Sequence, residues 1–238
     1  MNRSLSLVIL SLSFFTITGI AEATPVNIES VIPVYNPLDT LMKSQILYNG
    51  RIWQNLYYMV KGDQFLFSKM FLPGSLTMKG KTFKDVSLMY DIFKDEILTP
   101  IYPGGILQLN KEMVDSFSVT FQNKKYQFTK IQVDSLKGSK GYFNVIYVGK
   151  TALYVRYIKK IEKLGDEEMY DKFYQVTRIY FEKDYILYLI NGKNDLIKVL
   201  IDEKELIKNF IRKNKITISK EEPESFIAVI RYYDTIRK

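Results

Sequence analysis

From Tyr48 to Gly192 the chain is cut into short runs by turn signals, and this leaves no room for the crossover helices that a parallel sheet requires. Asn49-Gly50, Lys61-Gly62-Asp63, Lys79-Gly80-Lys81, Gly104-Gly105, the polar 122–125 run, Asp134 to Gly141, Gly149-Lys150 and Asn191-Gly192 are the punctuation. Between them lie runs rich in aromatic and β-branched residues, the composition of strands. Phe117, Val119 and Phe121 alternate onto one face, as do Tyr126, Phe128 and Lys130. Arg51 to Val60, Ser75 to Met78, Thr82 to Tyr90, Ile92 to Ile101, Tyr142 to Val148, Thr151 to Ile161, Phe173 to Phe181 and Tyr185 to Ile190 read as further strands. Asn191-Gly192 has the residues a two-residue hairpin turn prefers, because both central positions need positive φ.

After Gly192 the period changes. Leu196, Val199 and Leu200, then Leu206, Ile207, Phe210 and Ile211, recur at helical spacing, with Lys204, Lys208 and Arg212 opposite. Asp202 and Glu203 precede this second run and Arg212-Lys213 close it, as a helix dipole favours. Ser219 and Glu222 at capping-box spacing, with Pro223 following, announce a third helix whose stripe is Phe226, Ile227, Val229, Ile230 and Tyr233. The expected fold is α+β: a mostly antiparallel body, as a curved sheet or sandwich over residues 48–192, then two or three helices over 193–238 packed on it.

The first 23 residues have the form of an export signal. Met1-Asn2-Arg3 is basic, Leu5 to Phe15 is apolar apart from serines, and Ala21-Glu22-Ala23 offers small residues around a cut after Ala23. An uncleaved anchor is the other reading, but the apolar stretch falls short of the ~20 residues that span a bilayer. Residues 24–47, with Pro25, Pro33 and Pro37, read as an extended lead-in. Nothing after residue 24 is long and uncharged enough to span, so the expected body is not an integral membrane protein.

The chain contains neither Cys nor His. An exported body of about 215 residues is therefore held by packing without disulfides. Histidine-based nucleophilic catalysis, cysteine chemistry and ordinary zinc or copper sites are excluded. Carboxylate pairs, Lys or Tyr chemistry and oxygen-ligated cations remain, and the residues imply no cofactor. The balance of residue types favours a non-enzyme.

Residues 124–163 hold ten Lys or Arg against two acids, enough to account for the whole net charge of +8. Lys150, Arg156, Lys159 and Lys160, interleaved with Tyr154 and Tyr157, are the candidate binding residues for an anionic envelope component: a lipid headgroup, lipopolysaccharide or a glycan. The competing reading is a set of solvated strand-face lysines that discourage edge pairing. Export argues against nucleic acid. Asp91, Asp95 and Glu96 form the acidic cluster of the β-rich body and are the candidates for acid catalysis on glycans. Asp91 and Asp95 stand about 13 Å apart in an extended chain, beyond the ~5–9.5 Å such chemistry uses. Local turn bonding is therefore the alternative role. Trp53, the single tryptophan, and the pairs Tyr57-Tyr58, Tyr185/Tyr188 and Tyr232-Tyr233 suit either sugar stacking or ordinary packing.

Asn49-Gly50 before an aromatic run, Gly80 to Asp91 ending in Tyr-Asp, Asp95-Glu96, the Lys/Ile-rich Asp202 to Asn214 and the closing Tyr232-Tyr233 together resemble a group of uncharacterised exported proteins of Bacteroidetes-type Gram-negative bacteria. The resemblance spans most of the mature chain. It implies an envelope location and carries over no functional residues. Members of that group mostly end the last helix Tyr-Tyr-Asn, where this chain has Asp234. Three functions follow as expectations: a non-catalytic periplasmic binding or accessory protein, a lipid or lipoprotein carrier, and a carboxylate-dependent glycan hydrolase.

Overall fold

A computed structural model describes residues 47–131, 141–163 and 170–237. The signal, nearly all of the lead-in and the loop expectations at 134–140 and 165–168 lie outside the described residues. The strands are β1 (Gly50–Ile52), β2 (Leu72–Met78), β3 (Lys81–Asp91), β4 (Glu96–Pro100), β5 (Ile106–Leu109), β6 (Val114–Phe121), β7 (Lys124–Lys130), β8 (Tyr142–Val148), β9 (Ala152–Glu162), β10 (Lys172–Lys183) and β11 (Ile186–Ile190). They form one open sheet in the order β1-β5-β4-β3-β2-β6-β7-β8-β9-β10-β11. Every neighbouring pair is antiparallel. Helices α1 (Lys193–Val199), α2 (Lys204–Lys213) and α3 (Ile227–Ile236) follow, as the change of period at Gly192 implies. The fold is α+β.

Two meanders meet at β2. One runs from β2 through β3 and β4 to β5 and adds β1 outside it; the other starts when β6 returns to the free side of β2. That return needs a close approach. A Cβ on Gly74 would lie 2.0 Å from the Ser118 carbonyl oxygen. Strand β3 is shared: Leu88 still pairs with β2, whereas Met89, Tyr90 and Asp91 pair with β4. A bulge with Asp85 at φ 56° bends the strand before the exchange.

Burial divides along these arms. Leu76, Leu88, Tyr90, Phe117, Phe128 and Tyr142 head one core. Its rings interlock, with Phe117 and Phe128 stacked at 4.7 Å and Tyr90 edge-on to Phe117 at 5.0 Å. A second core joins Leu153, Val155, Ile179 and Phe181 of β9 and β10 to Leu196, Ile207, Phe226, Ile230 and Tyr233 of the helical segment. No helix among the described residues is long and apolar enough to cross a membrane.

Four local expectations are corrected. Arg51 to Val60 is strand only as far as Ile52, because Trp53 and Tyr57 turn their rings onto Phe65 and Phe93, and Asn55 accepts the Tyr57 N–H at 3.0 Å. Ile92 to Asp95 is a loop, held by Asp91, so the strand starts at Glu96. The β10–β11 turn uses Asp184-Tyr185, both at positive φ (53° and 62°), while Asn191-Gly192 leads into α1. Ser219 does not cap Glu222's helix. It bonds Glu221 and Ser225, and α3 is entered through a 3₁₀ turn at Pro223–Phe226.

Asp234 locks α3 onto the β8–β9 turn. Its carboxylate accepts the Thr151 N–H (3.2 Å), the Thr151 hydroxyl (2.7 Å) and the Tyr147 hydroxyl (2.9 Å). Gly149 lies so close that a Cβ there would fall 2.3 Å from the same carboxylate. Asp234→Ala leaves three donors without their acceptor and is expected to lower stability by about 2–4 kcal/mol. Asp234→Asn, which keeps one acceptor oxygen, is expected to cost about half as much. Urea denaturation of the two variants checks the order.

Candidate functional site

The β3–β4 hairpin carries all three acidic candidates and separates them. Asp91 and Glu96 are direct cross-strand partners, so their side chains share a face with Cβ atoms about 4.5–5.5 Å apart. Asp95, at φ 60°, closes the loop and turns to the other side. There it accepts the Tyr90 hydroxyl at 2.5 Å and an ion pair from Lys111, below the Tyr142 ring. The Tyr142 hydroxyl is itself spent on the Val114 carbonyl at 3.3 Å. Burial first, and the Asp95 charge next, hold both tyrosine hydroxyls well above their ordinary pKa. Asp95 is thus a structural anchor of the first core.

Asp91 and Glu96 face a cleft of about 360 Å³ roofed by the segment after β1. Arg51, Trp53, Tyr57, Gln64, Lys94 and Gln108 complete its chemistry. Trp53 leans on Phe65, with ring centres 5.9 Å apart, and Tyr57 sits edge-on to Phe93 at 4.9 Å with the Lys94 ammonium above it. Arg51 reaches Glu96 at 3.5 Å and donates to Gln108 at 2.9 Å. Arg51 and Gln108 also border a second hollow of about 290 Å³ beside Asn49 and Lys111, so the two hollows adjoin at this pair. A larger depression of about 580 Å³ along Thr82 to Ser87 lacks this convergence of rings, amides and charges.

The two carboxylates are not equivalent. Asp91 is fully buried: one oxygen accepts the Phe93 and Lys94 N–H groups at 2.9 Å, the other the Gln64 amide at 2.9 Å. Burial pushes its pKa up to about 6 despite these donors, with the Glu96 charge adding to the rise. Glu96 is also raised by burial, against the pull of Arg51, Lys94 and Lys111. Glu96 is the carboxylate with solvent access; Asp91 holds the hairpin.

The basic candidates do not converge. Tyr154, Arg156 and Lys160 alternate onto one face of β9, and Tyr157 and Lys159 onto the other. Lys159 is paired with Asp63 at 2.7 Å. Tyr157 packs into the first core, and burial pushes its pKa up to about 12. Lys150 and Tyr154 do meet in a hollow of about 360 Å³ with Arg237, where the Lys150 ammonium donates to the Arg237 carbonyl at 3.0 Å. Burial, then Glu182, pushes Tyr154 up to about 12. Arg156 stands against Phe143 and faces Arg178 across the strands.

Gln64, Gln108 and Arg51 carry no motif that marks them for a site. Trp53 and Tyr57 are visible as aromatic candidates, but their placement depends on β1 ending at Ile52. No family model, no curated protein and no solved structure matches the chain.

A raised Asp91 pKa means that the folded state holds its proton more tightly than the unfolded chain. The stabilisation this gives is full below about pH 4 and is lost as pH rises through about 6. Asp91→Asn removes that loss. The variant is expected to gain on the wild type by up to about 3 kcal/mol between those limits, read from urea midpoints across the range.

Proposed function

We propose that the protein is an exported, non-catalytic envelope protein that binds a glycan in the groove roofed by Arg51 to Tyr57. The observation that carries this reading is the make-up of the cleft: Trp53 and Tyr57 rings beside Arg51, Gln64, Lys94, Glu96 and Gln108. Sugars are bound by ring stacking combined with planar polar side chains, and sites of about 300–1,000 Å³ are the usual size for small ligands. A second hollow adjoining at Arg51 and Gln108 offers room for a further sugar unit. The signal-like form of the first 23 residues and the resemblance to exported proteins of Gram-negative envelopes support the location.

Hydrolysis has one observation in its favour, the cross-strand Asp91–Glu96 pair. Acid catalysis needs two carboxyl groups that touch the substrate, and Asp91 spends both oxygens on the chain's own donors. The carrier reading has less support, since interlocked rings occupy the interior between β2, β3, β6, β7 and β8.

Trp53 is the only tryptophan, so its fluorescence reports on the cleft directly. Titration with chitotetraose, cellotetraose and tetragalacturonate is expected to give saturable quenching by at least one probe. Glu96→Gln is expected to weaken it by about tenfold, the loss of a charge-assisted hydrogen bond, and no reducing ends should be released. Unchanged fluorescence with every probe would remove the glycan reading, and sugar release abolished in Glu96→Gln would replace it with hydrolysis.

A further inference from the structure

The segment that roofs the cleft has a second face. Beyond Ile52 the chain leaves the sheet and forms a turn-rich loop as far as Val60. At the end of β1 Ile52, and on the loop Leu56, Tyr58 and Met59, keep 61%, 72%, 78% and 59% of their surface in water. Side chains this exposed stand off the surface, and Leu56, Tyr58 and Met59 fall within four residues of one another, so the outer edge of the loop is apolar. Single exposed apolar residues need no explanation, but a clustered, polar-rimmed patch marks an interaction site.

The rim is cationic. Lys61 closes the loop and pairs by a β-bridge with Lys172; Lys94 lies over the Tyr57 ring. None of these three lysines forms an ion pair with any described residue. Of the nearby acids, Glu96 answers Arg51 and Asp63 answers Lys159, which leaves half-buried Asp171 beside Lys172 as the remaining counter-charge of the rim among the described residues.

We propose that this loop docks the protein on an anionic lipid surface, with Leu56, Tyr58 and Met59 entering the headgroup boundary and Lys61, Lys94 and Lys172 meeting lipid phosphates. Lysine is depleted from protein–protein interfaces, whereas lysines around an apolar tip are attracted by a negatively charged leaflet. Tyrosine suits the bilayer interface because its ring is apolar and its hydroxyl stays wet. Tyr58, Met59, Lys61 and Lys172 do not line the cleft, whereas Leu56 and Lys94 border both cleft and patch, so the test of the lipid reading is placed on the first four.

The test is co-sedimentation of the purified chain with vesicles of phosphatidylglycerol and phosphatidylethanolamine, against vesicles of phosphatidylcholine alone. Binding is expected to the first, to fall as salt is raised, and to be at least about tenfold weaker to the second. Tyr58→Asp/Met59→Asp is expected to reduce binding to the anionic vesicles by about tenfold or more, with its urea midpoint unchanged. Lys61→Glu/Lys172→Glu tests the charged rim separately and is expected to remove the salt dependence. Absence of wild-type binding, or equal binding by the aspartate variant, would overturn the proposal. So would sedimentation velocity showing a dimer in lipid-free buffer that the same variant dissociates, because the loop would then serve self-association. Chitotetraose titration without vesicles leaves the loop variants unaffected, so failure here is distinguishable from failure of the cleft.

Discussion

The turn from Ile92 to Asp95 is where the two arms of the open sheet are tied. Its Ile92 N–H donates to the Gln64 carbonyl at 3.0 Å, and its Ile92 carbonyl accepts the Lys159 N–H of β9 at 3.1 Å. Strand β9 lies five places from β3 in the sheet order, so this contact reaches across β2, β6, β7 and β8. Long-range closure of this kind carries a loop entropy cost, and the turn meets it by being fixed from inside. Asp91 fills the loop's own N–H groups, and Asp95 is clamped between Tyr90 and Lys111. Loosening the turn would remove this tie to β9 and disturb the cleft floor together.

The helical segment is held by the same kind of chemistry at its other end. Asp202 accepts the Tyr233 hydroxyl at 2.6 Å and the Lys183 ammonium at 2.8 Å, joining β10, the start of α2 and α3. Burial would raise the Asp202 pKa, yet these two donors and the lysine charge hold it below the ordinary carboxylate value. Asp202 is solvent-accessible, so water screens much of that gain. Asp234 is buried and gains more from its three donors. Apolar burial supplies the adhesion in both places, and the carboxylates set the register at which the helices seat.

Strand alternation and helical period were legible because both are local: they depend on residues two to four positions apart. What sequence reasoning missed depends on distant partners. Asn191-Gly192 and Asp184-Tyr185 can both form tight turns, and the choice falls to the second because Ile179 to Lys183 then pairs with β11 in a register that buries Leu187 and Ile190. Asp91 and Asp95 look like members of one site until the hairpin sends them to opposite faces. Gln108 lies 57 residues from Arg51, and only the pairing of β1 with β5 brings them within hydrogen-bonding distance. Trp53 fits either stacking or packing on sequence alone, and the structure shows its ring packed on Phe65 at the border of the cleft.

Charge shows the same gap between sequence density and surface chemistry. The basic stretch from residue 124 to 163 invites a reading as one positive face, yet four of its ten cations are committed to structural contacts. Lys124 pairs with Glu224 across to the helical segment, Lys130 donates to the Lys111 carbonyl, Lys150 to the Arg237 carbonyl, and Lys159 pairs with Asp63. Each joins segments that are far apart in the chain, and a lysine committed in this way has less of its charge to offer an anion in solution. Lys61, Lys94 and Lys172 come from three stretches with no unusual basic density, but they converge around one exposed apolar loop without ion-paired partners among the described residues. Net charge therefore belongs to the composition, whereas the placement of positive charge on the surface is set by the fold.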